Sequence, residues 1–362
     1  MNPRPPGYEI DGTRGARLTT HRLKTWWVAG APLSCPQIDT HFDAQPPQQS
    51  RSPGASSRTA VLIESVHATR VWSRNVRAAA EGLAVVTDST HYLPPDLLES
   101  AGIEQVSLYV GFGEELCLET EISDLEAFYG SLRTSKTMPT TSQPSVGDFC
   151  DCYERLLSQG RDVVSIHLAA GISGTCSSAL EASRSLAERG LPGRIEVIDS
   201  RSGAAGLGCL VLVAADAARA DLSVDQVVAK VGQARQGLDM WFCLDTLEYL
   251  RRGGRIGGAQ AWAASALRIK PILTFGTEIT PVTRVRTRRR AFERMVEYLK
   301  QLSDRGATDW VVQHIQAPEA ADELVLRGTQ ILSAPPLFRS QVGPVLGAHL
   351  GPGMIGVAGL VR

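Results

Sequence analysis

The chain predicts an α/β fold built on a parallel sheet and divided into two domains. Three observations carry this. Short apolar runs alternate with helix-patterned segments from Leu83 to Ala220, the order that yields parallel strands covered on both faces. Hydroxyl-bearing or acidic residues follow several of these runs, at the strand ends where open α/β sheets bind ligands. The length of 362 residues exceeds what one domain usually holds.

The first 80 residues stand apart. Pro, Gln, Ser and Arg dominate segments such as Ala44–Ser57, which cannot bury enough apolar surface to fold. Trp26 and Trp27 are apolar but isolated, and 60–80 has the composition of one Arg-rich helix. The stretch lacks the continuous apolar core of a signal peptide. Residues 1–81 are read as a disordered leader or a start assigned too far upstream. Their charge differs as well, with ten Lys/Arg against five Asp/Glu over 1–80 and 27 against 33 in the remainder.

Leu83–Val86 reads as a buried strand ending in Thr87-Asp88-Ser89-Thr90, a natural cap for a helix over 94–100. A second strand is expected over 105–110 and a helix over 124–132, with Ser123 as its cap. Met138–Ser145 is a hydroxyl-rich loop leading into a helix over 146–157. Ser145 can cap that helix, which leaves Thr140, Thr141 and Ser142 without a local role. Val163–Leu168 is bounded by Asp162 and the Ala169-Ala170-Gly171 break, as a buried parallel strand should be. Leu180 begins helical spacing, so Ser173, Gly174 and Thr175 lie at a helix N-terminus attractive to a carboxylate or phosphate. Such a turn is often only a cap. Here Asp88 and Ser89, Ser173 to Thr175, and Asp199 and Ser200 all end strands of one sheet, and that convergence favours a ligand site. A small-residue helix follows over 203–220.

The second domain is expected to start at 237, after a first spanning 82–236. Leu238–Cys243 is a strand, 245–256 a short helix closed by Gly253, 269–275 and 278–282 further strands, and 291–302 a helix. Arg255 lies beyond the glycines and has no local role. Arg284, Arg286, Arg288, Arg289 and Arg290 crowd one strand-to-helix turn, where positive charge opposes the helix dipole. His349 lies between glycines near the final strand, 354–360.

Several classes are disfavoured. A formal net charge of −1 gives no global field for nucleic acid. No apolar run reaches the roughly 18 residues of a membrane helix. The seven cysteines form no C-x-x-C pair, and Cys150 with Cys152 is too little for zinc; reduced cytoplasmic thiols are the simplest account. The first strand lacks G-x-G-x-x-G, which argues against a dinucleotide.

The ordered set T-D-S-T (87–90), T-S-Q-P-S (141–145), G-I-S-G-T (171–175), V-I-D-S (197–200), D-T-L-E-Y-L-R-R-G-G-R-I (245–256), K-P-I-L (270–273), R-T-R-R-R-A (286–291) and G-A-H-L-G-P-G (347–353) resembles the DegV family of bacterial fatty-acid-binding proteins, from about residue 83 onward. The resemblance implies a Rossmann-like parallel-sheet domain and a second α/β domain whose sheet is largely antiparallel. It implies a long-chain fatty acid held in a tunnel between them, with no further cofactor and no metal. The carboxylate would meet Thr141 and Ser173, with Gly174, Arg255 and His349 close by, supported by Asp88, Ser89, Thr175, Asp199 and Ser200. Family members that work with a DhaK-like fatty-acid kinase present this carboxylate for phosphorylation, and Arg286, Arg288 and Arg289 would then dock the kinase. Membrane contact would be transient. Ala169-Ala170 departs from the serines more usual before Gly171.

Burial of a ~16-carbon chain supplies on the order of 12 kcal/mol at about 0.8 kcal/mol per methylene, so neutral hydroxyls suffice to place the head group. A different class is an acyl hydrolase using Ser173, Asp199 or Asp245, and His349, in the order Ser…Asp…His. Its G-x-S-x-G elbow is incomplete, since Gly171–Thr175 ends in Thr.

Overall fold

The computed structural model describes residues 25–28, 31–34, 82–113 and 115–361. In the leader, β1 (Thr25–Val28) and β2 (Ala31–Ser34) pair antiparallel, a ribbon in a stretch whose composition assigned no element. The helix expected over 60–80 lies outside the described residues.

Thereafter the chain runs β3 (Leu83–Asp88), α1 (Pro95–Ser100), β4 (Ile103–Val106), β5 (Tyr109–Gly111), β6 (Cys117–Leu118), α2 (Leu125–Thr134), β7 (Thr140–Ser142), α3 (Val146–Ser158), β8 (Asp162–His167), α4 (Thr175–Glu188) and β9 (Ile195–Asp199). Helices α5 (Ala204–Arg219) and α6 (Val224–Gly237) lead into β10 (Leu238–Cys243), α7 (Glu248–Arg252), β11 (Lys270–Phe275) and β12 (Ile279–Val285). The remainder is α8 (Arg288–Asp304), β13 (Ala307–His314), α9 (Pro318–Leu332), β14 (Phe338–Gln341), α10 (Pro344–Leu350) and β15 (Ile355–Val361).

The first sheet is parallel, in the order β4-β3-β8-β9. The second has the order β12-β11-β10-β15-β13-β14 and is antiparallel except where β13 meets β14. A small antiparallel sheet, β6-β5-β7, completes the described strands. The expected α/β fold with one parallel and one largely antiparallel sheet is therefore present.

The layers follow from burial. Helices α3 and α4 cover the parallel sheet around Phe149, Tyr153 and Leu186. Helices α8 and α9 cover the six-stranded sheet around Trp310 and Tyr298. Helix α5, Ala204–Arg219, touches strands of both sheets and is buried from Ala204 to Leu212. Its Ala, Gly and Cys residues admit close approach on more than one side. The strands divide between the sheets at α6 and β10, yet the largest core cluster runs from Leu83 to Leu360 through both.

Some local expectations change. The strand expected over 105–110 breaks at Ser107: β4 joins the parallel sheet and β5 the small one. Its strand-like pattern carries on through Ser107, but the Ser107 hydroxyl bonds Leu108 O and takes the N–H of Thr120 where the chain turns. Asp124, not Ser123, caps α2 by accepting from Ala127 N. The loop over 140–142 is strand β7, because β5 supplies its partner. His349 lies in helix α10 rather than in a glycine loop.

Candidate ligand-binding site

A cavity of about 320 Å³ lies among α4, α5, α10 and the edges of both sheets. Apolar side chains such as Leu168, Met240, Phe242 and Met354 form its buried wall. Thr141, Gln143, Ser173, Ser177, Arg255 and His349 form the polar part of its lining, and Gln143, Ser177 and Arg255 are exposed. The volume falls at the lower end of small-molecule pockets. Its division into apolar wall and wet polar end suits an amphipathic ligand.

Each polar residue is placed by its element. β7 pairs with β5 so that Thr141 stands opposite Val110, and its Oγ1 lies 2.9 Å from His349 Nε2. Ser173 sits in the turn after β8, where its own N–H and that of Ile172 bond Ala169 O. Its Oγ is 2.8 Å from Thr175 Oγ1 and accepts from Thr175 N. Gly174, the N-cap residue of α4, offers no side-chain cap, so the Ser173 hydroxyl on Thr175 N is the capping contact at the positive end of that dipole. An added Cβ at Gly174 would lie 3.0 Å from Gln143 Nε2. Arg255 lines the cavity and donates to Gly253 O.

The imidazole of His349 is held down to a pKa of about 4, first by burial and then by the Arg255 charge. At neutral pH it is uncharged. Burial in this direction penalises the imidazolium. A ligand head group at this end therefore meets hydroxyls, a neutral ring and one guanidinium.

Behind this surface lies a fully buried brace. Asp88 accepts from Leu168 N at 2.8 Å, Thr90 N at 3.0 Å and His167 Nδ1 at 3.2 Å. His167 Nε2 is 2.6 Å from Ser165 Oγ, which takes the hydroxyl of Tyr153 at 2.7 Å. Burial raises the Asp88 pKa, but the His167 contacts and further hydrogen bonds outweigh it and the carboxyl stays below its ordinary value. Asp199 accepts from Ala170 N and Arg201 N, while Ser200 N donates to His167 O. Thr175 is fully buried. Asp88, Thr175, Asp199 and Ser200 thus hold the turn that carries Ser173.

Ser89 belongs to a second brace that sequence reasoning missed. Its hydroxyl donates to Glu119, a buried acid that also accepts from Tyr92 OH at 2.8 Å and from Val345 N at 2.7 Å. Burial pushes Glu119 up to about 7. In the sequence Glu119 lies within an acidic stretch, Glu114 to Glu121, that looks like a solvated loop. Gln143 was visible only as one letter of T-S-Q-P-S, and Gln313, which also lines the cavity, carried no signal.

The residues weighed for hydrolysis do not assemble. The Ser173 hydroxyl pairs with Thr175, and His349 turns Nε2 to Thr141. His349 Nδ1 is buried without a hydrogen-bond partner, so no carboxylate orients the ring as a triad requires. Asp245 is occupied by Lys270 and Arg288.

Comparison with known proteins fits this geometry. The pattern described as "Uncharacterised protein, DegV family" matches residues 82–361. This chain belongs to the DegV family. A DegV domain-containing protein of Streptomyces coelicolor is 39% identical over 279 residues, covering 76% of this chain and 97% of its own. Protein DegV of Bacillus subtilis is 34% identical over 280 residues, covering 76% and 98%. Among solved structures, a fatty-acid-binding DegV family protein from Thermus thermophilus aligns with TM-score 0.70 at 30% identity, over 78% of this chain and 100% of its own. DegV from Bacillus subtilis, described as a fatty acid binding protein, aligns with TM-score 0.70 at 33% identity over 78% and 100%. A stearic-acid-binding protein from Eubacterium ventriosum aligns with TM-score 0.72 at 25% identity over 77% and 98%. Among the described residues no helix is long and apolar enough to cross a membrane.

Proposed function

We propose that this DegV family member binds one long-chain fatty acid, its tail in the apolar cavity and its carboxylate at the polar end. The cavity itself carries the reading: a buried apolar wall ending in neutral hydroxyls and one guanidinium. The fatty-acid-binding neighbours of the same fold support it. In this reading the carboxylate accepts from Thr141 and Ser173, lies beside the Gly174 end of α4, and is flanked by Arg255 and His349. The tail supplies the affinity, at about 0.8 kcal/mol per buried methylene. Asp88, Ser89, Thr175, Asp199 and Ser200 position rather than touch it.

The role is non-catalytic carriage in the cytoplasm. The six free cysteines among the described residues suit a reducing compartment. A DhaK-like fatty-acid kinase would take the presented carboxylate. Docking by Arg286 and Arg289, both exposed, is part of this proposal. Arg288 is bonded to Asp245, and its role would be to hold the turn. Reversing Arg286 and Arg289 to Glu should slow acyl phosphorylation with fatty-acid binding intact; unchanged kinetics at low salt reject the docking role.

Denaturing extraction and mass spectrometry test the ligand directly, with about one fatty acid per folded chain expected. Ser173→Ala removes one hydrogen bond to a charged head group, worth roughly 1.5–3 kcal/mol, and should lower retention without unfolding the protein. Lost stability with retention per folded molecule unchanged would make Ser173 a cap only.

A further inference from the structure

One polar side chain interrupts the interior of the cavity. Gln313, on β13, lines it while being 1% exposed. Its amide N donates to His91 O at 3.1 Å, to Tyr92 O at 3.5 Å and to Ser340 Oγ at 3.0 Å. Those three residues line a second cavity of about 300 Å³. Gln313 therefore stands with one side on the apolar cavity and its amide tied to the wall of the other.

Further links cross the same wall, each using backbone on the first cavity's side. Leu108 donates its N–H to the Ser89 hydroxyl and accepts from Glu119 N on its carbonyl. Val345, on the first cavity, donates its N–H to Glu119, which lines the second. Leu346, also on the first, donates its N–H to the Tyr92 hydroxyl at 3.1 Å. Of these crossings, only that at Gln313 is made by a side chain of the first cavity, from the interior of a sheet. It can be shortened without altering the backbone.

The second cavity offers a tail no comparable home as it stands. Its wall includes Glu119, Gln105, Thr120 and Ser340 beside Leu93, Ile122 and Leu125. A primary amide at the partition presents a growing tail with a desolvation cost where it would otherwise gain contact.

We infer that Gln313 is the specificity-determining stop of the acyl site: it ends the tail's path and separates it from the second cavity, setting the longest chain accepted. This rests on the fatty-acid reading above and adds the residue that measures the ligand. Up to the stop, each added methylene should tighten binding about fourfold, the equivalent of about 0.8 kcal/mol. Beyond it the gain ends or reverses.

The test is competition binding of saturated fatty acids of increasing length against a fluorescent fatty acid, with the full chain. Wild type should show a maximum followed by a decline. Gln313→Ala should move the maximum to longer chains by about two carbons or more, each recovering close to the fourfold step. Gln313→Leu, which fills the same space without the amide, should keep the wild-type maximum. If the alanine variant does not fold, Gln313→Ser opens nearly the same space with a hydroxyl retained and is read in its place. Identical length profiles in wild type and the shortened variants overturn the partition while leaving fatty-acid binding intact. A wild type that binds no fatty acid of any length overturns both.

Discussion

Gly171→Ala is the sharpest single perturbation of the site. An ideal Cβ at Gly171 would stand 1.9 Å from Thr277 O, in the hairpin between β11 and β12. Real Cβ atoms essentially never come within 3.0 Å, so the two segments must separate by about 1 Å. The obstacle is a backbone carbonyl and cannot swing aside as a long side chain does. Phe275, at the base of the same hairpin, lines the cavity and lies 2.9 Å from a Cβ position at Gly203. Both strand-end turns, after β8 and after β9, thus carry a glycine where the hairpin lands. Overpacking of this kind costs about 1–3 kcal/mol. If the whole cost falls on the closed contact, the balance between closed and open sites shifts by roughly 5–150-fold. The assay is dissociation of a fluorescent fatty acid followed by stopped flow, with thermal unfolding alongside. Dissociation should accelerate within that range while the melt changes modestly. An unchanged dissociation rate would show that the hairpin contact does not close the site.

Two further predictions concern the scaffold. Burial lifts Glu119 from 4.5 to about 7, so the folded chain holds this proton more tightly than the unfolded one. Its contribution is present below about pH 4.5 and is lost as pH rises through 7; the stability of wild type relative to Glu119→Gln should fall across that window by up to about 1.4 kcal/mol per pH unit, and a difference in melting temperature that stays flat with pH would refute the assignment. Deleting residues 1–81 should leave a soluble, folded protein that still retains lipid, because every strand of the three sheets around the site lies within 83–361; an insoluble or unfolded truncation would show that the leader packs on the body.

What could be read from the sequence had local physical signatures. Buried parallel strands are short apolar runs, and β8 and β10 were read within a residue of their ends for that reason. Ser145 announces α3 because a cap and its Asp148 partner lie three residues apart, and the full capping box forms. The convergence of Asp88, Ser173 and Asp199 follows from chain direction alone, since successive parallel strands end on one edge. What escaped depends on distant partners. Thr140–Ser142 is a strand only because β5 lies beside it. Glu119 is buried only because Ser89, Tyr92 and Val345 converge on it from three segments. Gln313 matters through its neighbours on both sides, and nothing in Trp310-Val-Val-Gln-His314 distinguishes it from a solvated edge residue.

Helix α5, pressed between two sheets, also governs how the protein can come apart. A hinge needs a seam, and here the seam is filled by a helix whose residues 204–212 are buried. Gly206 and Gly208 leave no slack: a Cβ at either would meet Ser202 and Met240, or Phe338 and the His91 carbonyl. Prising the sheets apart would strip that helix of one partner and expose its apolar surface, a cost close to that of unfolding either half. The molecule should therefore melt in one transition, with the slowest amide exchange along α5. Cargo should pass in and out through small excursions of the turns at the polar end of the cavity, while α5 stays still.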